Sequence, residues 1–326
     1  MREEFGHLPD GRRVERVTLT NGEMEASILT WGATVQDLRV AGRRVVIGGD
    51  QLEDYLGDLL YAGAIVGRFA NRIGGARFEL EGKTHHTDPN FRARHTLHGG
   101  HAGTGEKVWT LEQLCQDSVR LSLHLPDGDM GFPGAMDVTV TYQLAQMSLF
   151  VAIEARTTKA TPCSFAHHGY FVLDDSGAIA DHDLRIDAHH YLPVDHDLIP
   201  TGKITQVADT RFDFTTGRGI GTGGYDHNFC LSQSPSNPLR PVAHLQSNVS
   251  GLALEVLTTE PGLQLYDGAH LGGARGHDGK VLRPHAGLAL ETQSWPDSPN
   301  RPDFPSCILE PQSTYRTRTQ YRFIAQ

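Results

Sequence analysis

The strongest constraint on the fold is an alternation of apolar and polar residues, broken at short intervals by turn residues. Met136-Asp-Val-Thr-Val-Thr-Tyr-Gln-Leu144 alternates cleanly, as do residues 119–125 and 149–155. A period of two turns one face of a segment to a core and the other away from it, which is the mark of a β-strand. The pattern returns at residues 14–20, 24–29, 252–257, 262–266 and 315–323. Asn21-Gly22 separates the first two of these, and Glu81-Gly82 separates residues 77–80 from 83–85. Both dipeptides are hairpin signals. Residues 51–56 have the pattern for one or two helical turns. With 36 glycines and 17 prolines as punctuation, the chain is predicted to be all-β, a large antiparallel β-sandwich with very little helix. No linker divides it, since residues 232–238 read as a surface loop. Residues 1–326 are therefore expected to form a single domain.

Charge and composition remove several functions. A net charge of -10 disfavours nucleic acid, whose phosphates call for a basic surface. No apolar run approaches the roughly 18 residues of a membrane helix. The start, Met1-Arg-Glu-Glu-Phe-Gly-His, has no apolar core behind its charges, so a cytoplasmic address is expected rather than secretion. Cys115, Cys163, Cys230 and Cys307 are scattered, with no CxxC pair, and are expected as buried thiols. The 18 histidines include pairs at 85–86, 167–168 and 189–190. Neighbours on a strand point to opposite faces, so such a pair does not readily chelate one ion. No HExxH spacing occurs either, and neither metal nor other cofactor is expected. The oligomeric state is left as monomer or homodimer.

Five segments place a titratable group beside a turn. In residues 288–291 the apolar run Leu288-Ala289-Leu290 ends at Glu291, and a polar loop with two prolines follows. A carboxylate at the end of a buried strand can have its pKa tuned for proton transfer. Residues 63–75 offer Arg68, a donor fork, with Asn71 and Arg72 as further donors among small residues. The Walker spacing is absent there, and the bland alternative is arginines paired with local carboxylates. His98 stands before Gly99-Gly100, where the backbone can turn sharply. His167 and His168 are expected on opposite faces of a strand, and nothing local chooses between them as an acid. Asp226 follows a glycine-rich turn, where it either caps that turn or accepts hydrogen bonds from a ligand. Arginine, histidines and carboxylates together suit a hydroxyl-rich sugar, with Tyr225, Phe171 and Trp295 available to cover its ring.

Taken in order, the motifs GRFANRI (67–73), TLHGG (96–100), GFPGAMDVTVTYQL (131–144), HHGYFVL (167–173), YDHNF (225–229) and LETQSWPDSPN (290–300) resemble the aldose 1-epimerase family, also called galactose mutarotases. The resemblance runs nearly end to end. It implies the galactose mutarotase-like supersandwich with an open cleft, and interconversion of the α and β anomers of a free aldose such as galactose or glucose. By motif position it implies Glu291 as general base, His168 as general acid, and Arg68, His98, Asp226 and Asn71 as sugar-binding residues. Proton transfer alone needs no metal, nucleotide or covalent nucleophile, and a buried glutamate and a histidine can both be tuned towards neutrality.

The chain departs from the family pattern at several places. His167 and Val172 stand where asparagine is usual, and Asp267-Gly268-Ala269 replaces Thr-Gly-Asn. Pro311-Gln312-Ser313 replaces Pro-Gly-Glu, and Asn90-Phe-Arg-Ala-Arg-His95 replaces an Asn/Gly-rich lead-in to Leu-His-Gly-Gly. One reading of the last change is that Arg92 or Arg94 meets a hydroxyl or an anionic group on a non-standard sugar. The other is two solvated loop arginines. Rival functions are a non-catalytic sugar-binding module and an epimerase of an acidic or phosphorylated sugar on the same fold.

Overall fold

The computed structural model describes residues 1–221 and 223–325. Every strand ladder in it is antiparallel. The largest sheet has nine strands, in the order Thr110–Leu114, Ser118–Leu125, Met136–Ala145, Ser148–Thr157, Tyr315–Ala325, Leu252–Thr258, Arg240–Ser247, His182–Ile186 and Arg218–Gly219. The last strand of the chain thus lies inside this sheet, zipped between Ser148–Thr157 and Leu252–Thr258. A second sheet has six strands, in the order Tyr170–Phe171, Leu288–Gln293, Gly262–Tyr266, Asp226–Cys230, His190–Tyr191 and Thr205–Gln206. The N-terminal strands form a five-stranded meander from Arg2–His7 to Arg43–Arg44. The hairpins expected at Asn21-Gly22 and Glu81-Gly82 are both present. The expected helical turn is Leu52–Leu56. Among the described residues no helix is long and apolar enough to cross a membrane.

The alternation seen in the sequence builds the core directly. Leu263, Leu265, Leu288 and Leu290 of the six-stranded sheet share one apolar cluster with Val151, Ile153, Leu254, Val256, Tyr321 and Phe323 of the nine-stranded sheet. Each such side chain contributes about 1.5–3 kcal/mol by leaving water. Val17, Leu19, Ala26 and Ile28 of the meander join the same cluster. A Tyr142 hydroxyl donating to Ala33 O at 2.6 Å also ties the meander to the large sheet. Thr292 and Thr319 hydroxyls meet at 2.6 Å between the two larger sheets. Because Leu288, Leu290 and Thr292 point inward, Glu291 must point to the other face of its strand.

Candidate active site

That outer face of the six-stranded sheet floors a cleft of about 780 Å³. Strand register orders the side chains on that face, of which Glu291, Asp226, Tyr266 and Tyr170 line the cleft. Asn228, Gln264 and Glu291 lie side by side on three neighbouring strands. One row away, Asp226, Tyr266, Ala289 and Tyr170 do the same. His168, two residues before Tyr170, emerges on this face, and Asn71, Arg72, Leu97 and His98 close a side wall. Tyr61, Tyr225 and Phe91 add aromatic surface.

His168 Nε2 and Glu291 Oε1 are 3.6 Å apart, and both side chains are almost wholly buried. That separation is too long for a direct hydrogen bond and sets both heads side by side in the cleft. Burial pushes the Glu291 carboxyl up to about 8; the charge of Asp226 adds to this and that of Arg72 opposes it. Burial likewise pulls the His168 imidazole down to about 4. Around neutrality the pair therefore holds one proton beyond those of a carboxylate and a neutral ring, resting on Glu291. Moving it to His168 gives a carboxylate base beside an imidazolium acid with no change in total charge. A ligand hydroxyl donating to Glu291 favours that arrangement, because hydrogen bonds to a carboxylate stabilise its charged form. Glu291 Oε2 is buried without a protein partner, which leaves it open to such a donor.

The wall beside the pair is rich in hydrogen-bonding groups. Asp226 accepts from Gln264 Nε2 at 2.6 Å and from Arg72 Nη2 at 2.9 Å. Burial works against its charge, but Arg72 and the Gln264 amide overcome this and hold its pKa below the usual range. The Arg72 guanidinium also lies over the Phe91 ring, 4.7 Å from its centre. Asn71 and His98 fix each other: Asn71 N–H donates to His98 Nδ1 at 3.1 Å, and His98 N–H donates to Asn71 O at 3.0 Å. The first bond makes Nδ1 an acceptor, so in the neutral ring Nε2 carries the hydrogen. Burial, and then the neighbouring His168 and Arg72, hold His98 well below its ordinary value. His98 is thus a neutral donor.

This tautomer also decides a metal question. His98, His168 and Glu291 have ligand atoms within 4.8 Å of one another, the separation a metal needs. A cation requires the Nε2 lone pair, and His98 has given that nitrogen its hydrogen. Two ligands remain, short of the three that a catalytic zinc centre takes from its protein. The donor set does not fit a metal.

The structure brings Glu291, His168, His98, Asp226 and Asn71 to one cleft, as expected from the sequence. Arg68 needs correction. Its guanidinium donates to Pro133 O and Gly134 O at 3.1 and 2.8 Å, lies over Phe132, and does not line the cleft. Arg72, four residues on, faces the cleft instead. Geometry also separates the histidine pair. His167 lies in the core between Tyr142, Phe171 and Tyr321, with Nδ1 3.3 Å from the Tyr321 hydroxyl. Phe171 and Trp295 are core residues too, so of the three proposed covering rings only Tyr225 lines the cleft. Gln264, Tyr61, Tyr170, Tyr266 and His270 went unnoticed in the sequence. For Gln264 and Tyr266 the signal was present, since in the strand Gly262–Tyr266 they alternate with the inward Leu263 and Leu265. Arg92 and Arg94 both pair with Asp197, at 2.7 and 2.9 Å.

The fold is a large antiparallel sandwich, and its cleft sets a buried carboxyl and imidazole beside a wall of hydrogen-bonding groups. The family model for aldose 1-epimerase matches residues 15–322. Galactose mutarotase of Mus musculus is 41% identical over 335 aligned residues, covering 98% of this chain and 97% of the relative. Aldose 1-epimerase of Escherichia coli K12 is 34% identical, covering 98% and 97%. Among solved structures, a GalM/aldose epimerase homologue from C. elegans superposes with a TM-score of 0.89 at 28% identity, covering 95% of this chain and 98% of that one. Galactose 1-epimerase from Lactobacillus acidophilus gives a TM-score of 0.86 at 27% identity, covering 99% and 98%. The chain belongs to the aldose 1-epimerase family and is an enzyme of the isomerase class.

Proposed function

We propose that this protein interconverts the α and β anomers of a free aldose such as galactose or glucose. The observation that carries this reading is the buried His168–Glu291 pair, 3.6 Å apart and facing one cleft. Opening a pyranose requires a proton to leave the C1 hydroxyl and another to reach the ring oxygen, and both oxygens hang on the same carbon. Glu291 takes the first proton and His168 gives the second. The aldehyde rotates about C1–C2, and closure on the other face reverses both transfers. Arg72, Asp226, Gln264, His98 and Asn71 hold the remaining hydroxyls, and Tyr61, Tyr170 and Tyr266 cover the ring. Acid and base each contribute about 10²- to 10⁴-fold in rate.

The alternatives are less well supported. A pure binding module has no use for a tuned acid–base pair. An acidic or phosphorylated sugar calls for cations free to meet it, and Arg92 and Arg94 are paired with Asp197. The residues named for catalysis and binding all come from one chain, which suits a monomer or homodimer acting as one unit over residues 1–326. All four cysteines are free thiols, which suits the reducing cytoplasm.

Polarimetry or NMR of freshly dissolved α-D-galactose, α-D-glucose, L-arabinose and D-xylose tests the reading. Acceleration by the wild type, largely lost in Glu291→Ala and His168→Ala, is expected. No acceleration of any neutral aldose would sink it.

A further inference from the structure

The hairpin at the rim of the cleft, residues 91–95, is held in an unfavourable backbone shape. Arg92 and Ala93 both have φ 51°, the left-handed region that glycine or asparagine adopts at low cost. Two such residues in succession are costly, because Cβ crowds the carbonyl oxygen in this region. Phe91 and His95 close the hairpin with reciprocal backbone bonds of 2.9 Å. Something beyond the hairpin must repay the strain.

Asp197, on a separate loop, is placed to do so. Its side chain is 7% exposed, and it gathers Arg92 at 2.7 Å, Arg94 at 2.9 Å and His95 Nε2 at 3.3 Å. His95 Nδ1 accepts from Gly75 N–H at 3.0 Å, so Nε2 holds the hydrogen that points at Asp197. Arg92 also donates to His196 O at 2.6 Å, which ties the two loops a second time. Each loop sends one apolar residue into the cleft, Phe91 from the hairpin and Leu198 from the other. The Phe91 ring lies against the Arg72 guanidinium, and Nη2 of that same group holds Asp226. A continuous set of contacts therefore runs from Asp197 through the hairpin and Phe91 to the Arg72–Asp226 pair.

We propose that Asp197 is a positioning residue that, by fastening the 91–95 hairpin, sets Arg72 and Asp226 for sugar binding. It touches neither the reacting atoms nor the acid–base pair. The assignment rests on the sugar-binding role of Arg72 and Asp226 proposed above. It also gives Arg92 and Arg94 a purpose: they hold the rim and do not contact the sugar.

The test compares wild type, Asp197→Asn, Asp197→Glu and Phe91→Ala in mutarotation assays, each first checked for an intact thermal transition. Asp197→Asn removes the charge and keeps the shape. KM is expected to rise roughly tenfold with kcat unchanged, the loss of about one charge-assisted hydrogen bond's worth of binding. Asp197→Glu should recover part of the loss, and Phe91→Ala should reproduce it. An unchanged KM in Asp197→Asn, or a loss confined to kcat, overturns the proposal. A crystal structure of Asp197→Asn decides the matter without substrate. Phe91 displaced from Arg72 supports the proposal, and Phe91 still seated against Arg72 overturns it. A wild type inactive on every aldose would instead count against the proposed reaction, leaving the crystallographic result to judge Asp197.

Discussion

Arg68 and Arg72 sit four positions apart in one motif, yet their side chains do different work. Arg68 is buried against Phe132 and the Pro133 and Gly134 carbonyls, and Arg72 reaches Asp226 in the cleft. Arg72→Ala is expected to raise KM for an aldose at least tenfold, because it removes a charge-assisted partner of Asp226, the carboxylate proposed to bind the sugar. Arg68→Ala should leave KM unchanged and lower stability by about 1–3 kcal/mol, since it strips donors from buried carbonyls. Steady-state kinetics beside urea denaturation separates the two, and equal KM effects would refute the division. The sequence could not make this distinction: both arginines lie among small residues, and only the fold shows which faces the cleft. Glu291 was legible because an apolar run stops at it, and Asp226 because a glycine turn precedes it. His168 needed the family pattern, since adjacent histidines on a strand look alike until the core claims one of them.

At the scale of elements, the long alternating strands were readable and the short site-bearing ones were not. Met136–Ala145 and Ser148–Thr157 follow from their period. Ile65–Val66, Arg72–Ile73, Thr96–Leu97, Ala166–His167 and Tyr170–Phe171 are two residues each, too short for any period to register. What holds such pieces is close backbone contact, and glycine marks where it occurs. Gly99, at φ 90°, follows His98, and a Cβ there would lie 2.1 Å from Gly67 O in the neighbouring motif. Gly67 meets its own limit at the Phe165 ring, 2.3 Å from an added Cβ, so the pair cannot simply move apart. Gly99→Ala is therefore expected to cost stability well beyond the roughly 1–2 kcal/mol of a left-handed alanine and to displace His98. Thermal denaturation and the mutarotation rate should both fall, and a variant of wild-type stability would show that the two motifs do not press on one another.

For the molecule as a whole, a core this rich in buried titratable groups makes stability a function of pH with a sign that can be worked out. Burial lowers His98, His167, His168, His182, His227 and His270, His167 to about 3 and His168 and His227 to about 4. Unfolded, each takes its proton near 6.5. From about 6.5 down to the depressed values the unfolded chain binds more protons, so stability falls as the solution is acidified. Glu291 acts in the opposite sense. Its unfolded value is 4.5 and its folded value about 8, so the folded state keeps that proton longer and stability falls as pH rises through this window. Six histidines outweigh the glutamate on the acid side. Above the ordinary histidine value they no longer titrate, and Glu291 alone among these groups still slopes downward. Urea unfolding of the wild type should therefore show greatest stability at about pH 6–7, with loss on both sides. Burial raises Glu106 and Glu260 as well, so Glu291→Gln removes one contributor to the alkaline slope and should make that side shallower while leaving the acid side nearly intact. It should be more stable than wild type at pH 8 while losing the proposed mutarotation, the exchange of stability for activity expected of a carboxyl buried for chemistry. A wild type whose stability is level from pH 6.5 to 8.5, or a Glu291→Gln variant that keeps the wild-type slope, would show that the Glu291 carboxyl is not held protonated by the fold.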